Sequence, residues 1–222
     1  MMKKISNRIT YVGVNDDDKV LFEGLWPLPV GVSYNSYIVA DEKVALIDTV
    51  EGGFEDEYIA NIEQAIGDRN IDYLVVNHME PDHSSLISYM QARYPGIRIV
   101  ANAKTLPMLK GYYGVPAEDV LVVAEGSELS LGSCSLKFYM APMVHWPETM
   151  VTWLEEEGTL FSGDAFGTFG SIDEEVRDDE ETFGQFRDEM MRYYACIVGK
   201  YGAPVQTALK KLAGLQIKRI CS

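Results

Sequence analysis

The sequence predicts a layered α/β fold, and three observations carry the prediction. Short apolar runs rich in Val and Ile alternate with helix-length amphipathic stretches in both halves of the chain. No linker or internal repeat divides the 222 residues, which suffice for one substantial core. The composition, 47% hydrophobic and 24% charged, is that of a packed chain rather than a disordered one.

The elements follow in order. "ITYVGV" (Ile9–Val14) reads as a strand. "SYNSYIV" and "KVALIDT", separated by the turn-like "ADE", read as a hairpin. Glu55 to Ile66 has helical periodicity and stops near Gly67, and "IDYLVV" is then a buried strand. The loop leaving it, "NHMEPDHSSL", gives way to a helix reaching about Arg93, with Ser84 or Ser85 as its cap. "GIRIVAN" (strand), Lys104 to Tyr112 (helix) and "DVLVVAE" (strand) come next. A second set of strands is expected in "SELSL", "SCSLKFYMAP", "TMVTWLEE" and "TLFSGD". The acidic run from Ser171 to Glu181 reads as a solvated loop into a long helix, Thr182 to about Val198. A helix from Pro204 to Ala213 and the strand "QIKRIC" close the chain.

Charge and cysteine usage narrow the function classes. With 34 acids against 19 bases the formal charge is −15, and no basic stripe offsets it. Nucleic acid and anionic membrane are therefore poor partners, since both are recognised by clustered Lys and Arg. Cys134, Cys196 and Cys221 are odd in number and widely spaced, which argues against a disulfide framework or a CxxC site. The positive N-terminus lacks an apolar signal-peptide core, and no apolar run approaches the roughly 18 residues of a membrane span. A reducing, cytoplasmic setting is the expectation.

The chemistry concentrates at strand ends. His78, Glu80, Asp82 and His83 directly follow an apolar strand, where ligand groups converge in open α/β folds. Alternation on an extended segment puts His78, Glu80 and Asp82 on one side, and His83 joins them if the backbone turns into the helix. The third histidine, His145, follows the strand "SLKFYM", and Asp164 ends the strand in "TLFSGDAFG". Three imidazoles with three carboxylates exceed what one four-coordinate ion needs. A dinuclear site with a bridging carboxylate uses them better, and mixed oxygen and imidazole donors suit iron or manganese. Two divalent ions bring four positive charges and the three carboxylates return three, a balance that eases oxidation of each ion.

"HMEPDH" resembles the metallo-β-lactamase superfamily signature H-x-H-x-D-H with its second histidine replaced by Glu80. With "VHWPETM", "FSGDAFG" and the opening "GVSYNSYIVADEKVALIDT", the chain is similar over essentially its whole length to the diiron domain of flavodiiron proteins, which reduce nitric oxide or dioxygen. The resemblance implies a four-layered αββα sandwich spanning residues 1–222 as a single domain, with the site at the mouth between two sheets. It implies that His78, Glu80 and His145 hold one non-haem iron. Asp82, with His83, holds the second, and Asp164 bridges both. Tyr193 or Tyr194 resembles a tyrosine lying behind the family's ligands, and Trp26 and Trp146 are expected to shape pocket walls or pack in the core.

Two departures are expected from the same resemblance. The family places one more histidine just after the last strand, here beyond Ser222, and continues into an FMN-carrying flavodoxin domain that these residues lack. The second iron is then expected to be weakly held, with electrons coming from a rubredoxin- or flavodoxin-like donor protein. A homodimer is expected because the family's FMN reaches the diiron site from a neighbouring subunit. Two other readings stay open here: a superfamily hydrolase using zinc, against which Glu80 argues, and a metal-poor remnant serving as a binding domain.

Overall fold

The computed structural model describes residues 2–172 and 183–222. The acidic run from 173 to 181 and Thr182, read above as a solvated loop and a helix start, lie outside the described residues. The strands are β1 (Lys3–Lys4), β2 (Ile9–Tyr11), β3 (Val14–Asp16), β4 (Leu21–Phe22), β5 (Trp26–Pro27), β6 (Val32–Tyr34), β7 (Tyr37–Ala40), β8 (Val44–Ile47), β9 (Tyr73–Val75), β10 (Arg98–Asn102), β11 (Val120–Val123), β12 (Glu128–Ser130), β13 (Ser135–Met140), β14 (Met150–Leu154), β15 (Thr159–Phe161) and β16 (Arg219–Cys221). The helices are α1 (Glu55–Ile66), α2 (Pro81–Ser84), α3 (Ile87–Arg93), α4 (Leu106–Tyr113), α5 (Phe183–Tyr193) and α6 (Gly202–Leu212).

Two sheets form the inner layers. One has the order β1-β2-β7-β8-β9-β10-β11 and the other β12-β13-β14-β15-β16. Their facing side chains make one core, in which Val39, Ile47, Val75 and Val100 meet Leu136, Phe138, Leu154 and Phe161. The alternate residues of the same strands point outward into a second core. There Ile38, Leu46, Leu74 and Ile99 pack with Tyr58, Ile62, Ile87 and Leu109, and Val151 and Leu160 with Tyr193, Ile197 and Leu212. Both sheets are therefore apolar on both faces, as covered sheets must be. The result is the four-layered αββα sandwich that the resemblance implied.

Several elements differ from the sequence expectation, each for a local reason. "ITYVGV" is not one strand: it breaks at Gly13, where a Cβ would lie 2.3 Å from the Tyr34 carbonyl oxygen and 2.5 Å from the Tyr11 hydroxyl. "SYNSYIV" likewise divides into β6 and β7, with Ser36 turned inward to bond the backbone of Ile47 and Asp48. The expected hairpin between the following segments is present as β7–β8, Tyr37 pairing with Ile47.

Neither serine caps α3. Ser84 belongs to the short helix α2, and its hydroxyl donates back to the Met79 and Glu80 carbonyls. Pro81 at the first helical position starts that helix three residues earlier than the cap reading supposed. The expected helix to Val198 changes pitch: α5 ends at Tyr193 and Tyr194–Val198 forms a π-helical turn.

Candidate metal centre

Three chain segments deliver the site, all at ends of inner-sheet strands. Beyond β9, Glu80 is extended (φ −61, ψ 146) and caps α2, so Asp82 and His83 sit on the first helical turn. Side-chain alternation therefore holds for His78 and Glu80 but not for Asp82, which the helix redirects. His145 stands between β13 and β14, and Asp164 lies three residues beyond the end of β15.

These residues make two groups whose ligand atoms lie within 4.8 Å of one another: His78, Glu80, His145 and Asp164, and Asp82, His83 and Asp164. Asp164 belongs to both, and its two oxygens face opposite ways. Oδ2 lies 2.9 Å from His145 Nε2 and 3.4 Å from His78 Nε2, whereas Oδ1 lies 2.7 Å from His83 Nε2. Glu80 Oε2 closes the first group, 3.0 Å from His145 Nε2 and 3.4 Å from His78 Nε2. His78, Glu80, His83, His145 and Asp164 are all buried.

So many buried ionisable groups perturb one another. Burial disfavours protonation of His78 and His83, yet the carboxylates bonded to them prevail and hold both imidazoles well above their usual range. His145 moves the same way, to about 9, burial opposing and Asp164 and Glu80 raising it. Burial likewise opposes ionisation of Glu80 and Asp164, but the histidines win and lower Glu80 to about 2 and Asp164 well below its usual value. Asp82 goes up to about 7, because burial and the charges of Asp164 and Glu80 outweigh His83. Protons here do the neutralising that cations could do.

The donor set fits a pair of metal ions. His78 Nε2 and Asp82 Oδ1 are buried without a hydrogen-bond partner, and a buried polar atom left unpaired is costly. His78 Nε2 faces the gap between Glu80 and Asp164, where an ion would satisfy all three.

The structure adds residues that the sequence reading did not single out. Glu148 Oε1 bonds His78 Nδ1 at 2.8 Å and accepts the Met79 N–H at 3.0 Å, which leaves Nε2 as the free imidazole nitrogen. An acid three residues after His145, inside the quoted "VHWPETM", was its only signal. Asp48, at φ 54, accepts the Asn77 N–H at 2.7 Å through Oδ1, and its Oδ2 lies 3.6 Å from His83 Nδ1. A left-handed aspartate costs about 1 kcal/mol or more, so its side-chain bonds must hold it there. Glu23, on the turn of the β4–β5 hairpin, lies near Glu80, and burial together with the Glu80 charge raises its carboxyl.

Of the two candidate tyrosines, Tyr193 is buried, and burial and the nearby charges of Asp164, Asp82 and Glu80 raise its hydroxyl well above the usual range. Tyr194 is 47% exposed. Trp146 packs edge-on to His78, ring centres 5.2 Å apart, against the outer core. A cavity of about 710 Å³ opens on Asp82, His83 and Asp164. Among the described residues no helix is long and apolar enough to cross a membrane.

Known proteins are similar to this chain in sequence and fold. Residues 32–222 match the family model described as ODP family beta lactamase. An anaerobic nitric oxide reductase flavorubredoxin of Aliivibrio fischeri is 34% identical over 215 residues, covering 96% of this chain and 43% of that protein. The rubredoxin oxygen:oxidoreductase of Desulfovibrio gigas superposes with a TM-score of 0.92 at 30% identity, over 100% of this chain and 55% of that one. A mutant of the flavo di-iron protein of Thermotoga maritima gives 0.92 at 31% identity, over 99% and 55%. The chain thus spans about half the length of the relatives it matches.

Proposed function

This chain belongs to the ODP family of β-lactamase-like domains, and from that membership and the paired clusters at Asp164 we propose a di-iron oxidoreductase module reducing nitric oxide to nitrous oxide, dioxygen to water, or both. The observation that carries the proposal is the division of Asp164 between two ligand groups, with Glu80 adding an oxygen donor to the first. His78, Glu80 and His145 hold one iron, Asp82 and His83 the other, and Asp164 joins them. A ferrous pair supplies two electrons, which match two nitric oxide molecules and two protons giving nitrous oxide and water, whereas dioxygen needs four electrons and so resupply.

The chain's own side chains set the conditions for that chemistry. Glu148 orients His78, Asp48 faces His83, Trp146 keeps water from the buried face of His78, and Tyr193 brings a phenol proton beside the Asp164 carboxylate. Its raised hydroxyl keeps that proton across the neutral range.

Electrons come from an FMN carried outside these residues, fed by a rubredoxin- or flavodoxin-like donor. A homodimer is the expected assembly, since the flavin would then reach the centre from a neighbouring subunit, and the cytoplasm is the expected compartment. The relatives' names, nitric oxide reductase and oxygen oxidoreductase, favour redox chemistry, and none supports the zinc hydrolase alternative. Anaerobic loading with ferrous iron, then addition of nitric oxide, tests the proposal: nitrous oxide is expected at up to one per iron pair. Iron taken up without nitrous oxide, or hydrolysis of a thioester or lactam by a zinc-loaded form, would overturn it.

A further inference from the structure

A second, more apolar cavity adjoins the 710 Å³ one, sharing Asp164, Phe166, Gly167, Met190 and Tyr193 with it. It has a volume of about 300 Å³ and lies between the outer face of the β14–β15 pair and helices α5 and α6. Val144, Val151, Leu160, Ala208 and Leu212 wall it, and Asp164 stands at its inner end. These residues come from both sheet and helix layers, and the exposed Phe166, Tyr194 and Leu209 also line the space, so it is a groove that runs from the surface into the outer core.

Its walls offer almost nothing to a hydrated ligand. Ser162 borders it, but its hydroxyl is committed to the Ala165 carbonyl at 2.6 Å. Gln206 is exposed. Tyr193 is buried beside Asp164. A water needs two to four polar partners to stay in such a space, and dry apolar cavities of about 150 Å³ take up xenon or benzene instead. Uncharged diatomic gases share xenon's lack of hydrogen-bonding demand. The polar cavity that opens on Asp82 and His83, by contrast, includes Asn35 and Ser222 and suits water.

We propose that the apolar cavity bounded by β14, β15, α5 and α6 is a binding site for a small uncharged diatomic molecule, which it delivers to the metal centre at Asp164. The delivery half rests on the proposed function; the binding half does not. Partition into an apolar space beside Asp164 raises the local gas concentration there.

The test begins with crystals of the full chain, metal-free and iron-loaded, held under xenon pressure. Xenon is expected between Val151 and Ala208 in both forms. Ala208→Trp, which fills the space from α6, should abolish it. The same variant should slow nitric oxide association with the ferrous protein by about tenfold while iron content stays unchanged. Val205→Phe, on the same helix, repeats the test should the first variant fold poorly. Ordered water in place of xenon, or wild-type association rates in the filled variants, would overturn the proposal. Because xenon binding needs no metal, a chain that takes up xenon but no iron would sink the proposed function and leave the cavity's affinity standing.

Discussion

Replacing Glu148 should weaken metal binding without touching a single ligand. Its Oε1 sits 2.8 Å from His78 Nδ1 and 3.0 Å from the Met79 nitrogen, and the residue is 2% exposed. Glu148→Gln keeps a neutral acceptor of the same shape but loses the charge assistance, about 1 kcal/mol, or roughly fivefold in affinity. Glu148→Ala leaves two buried donors unpaired and frees the imidazole to rotate or change tautomer. That amounts to about 2–3 kcal/mol, in line with the 10–100-fold typical for partners of metal-bound histidines. Competition between the protein and a calibrated chelator for ferrous or cobaltous ion reads the affinity, and ¹⁵N chemical shifts of His78 read the tautomer. The graded order Glu, Gln, Ala is the expected result. Equal affinity in all three, with His78 keeping its proton on Nδ1, would refute the claim that Glu148 orients this ligand.

Three further outcomes follow from the same geometry. Asp164→Asn should lower occupancy of both sites, whereas Asp82→Asn should lower only the one it shares with His83; selective loss in the first variant, read by metal analysis, would count against a shared carboxylate. Glu80→His should turn the competitive uptake of iron and zinc towards zinc, and an unchanged iron preference would remove Glu80 from its role. In the metal-free protein, His145 is raised from 6.5 to about 9, so its stabilising proton is fully present below about pH 6.5 and lost as pH rises through 9. Asp82, raised from 3.8 to about 7, loses its contribution in the same direction. The thermal midpoint should therefore fall between pH 6.5 and 9 by an amount equivalent to a few kcal/mol at most, and added metal should flatten the profile. A midpoint that rises over that range would contradict the assigned direction.

The clustered side chains were legible in the sequence because they lie in short motifs at strand ends. "HMEPDH" supplies four donors in six residues, and His145 and Asp164 each follow an apolar run. The residues that orient them were not legible, since their partners are distant in sequence: Glu148 meets a histidine 70 positions away. Asp48 read only as the end of "KVALIDT", although its left-handed backbone aims it at Asn77. Choosing Tyr193 over Tyr194 needed the rotational phase of a helix that turns π-helical at that point, which 3.6-residue periodicity does not supply. Glu23 rides on a hairpin of two-residue strands, too short to leave a pattern.

The central claim is that Asp164 joins two metal ions, and magnetic coupling tests it most directly. The full chain, loaded anaerobically with iron and oxidised by one electron per pair, should give the electron paramagnetic resonance of a spin-coupled mixed-valence pair, and Asp164→Asn should lose it. Signals from isolated, uncoupled ferric ions, insensitive to Asp164, would contradict the account.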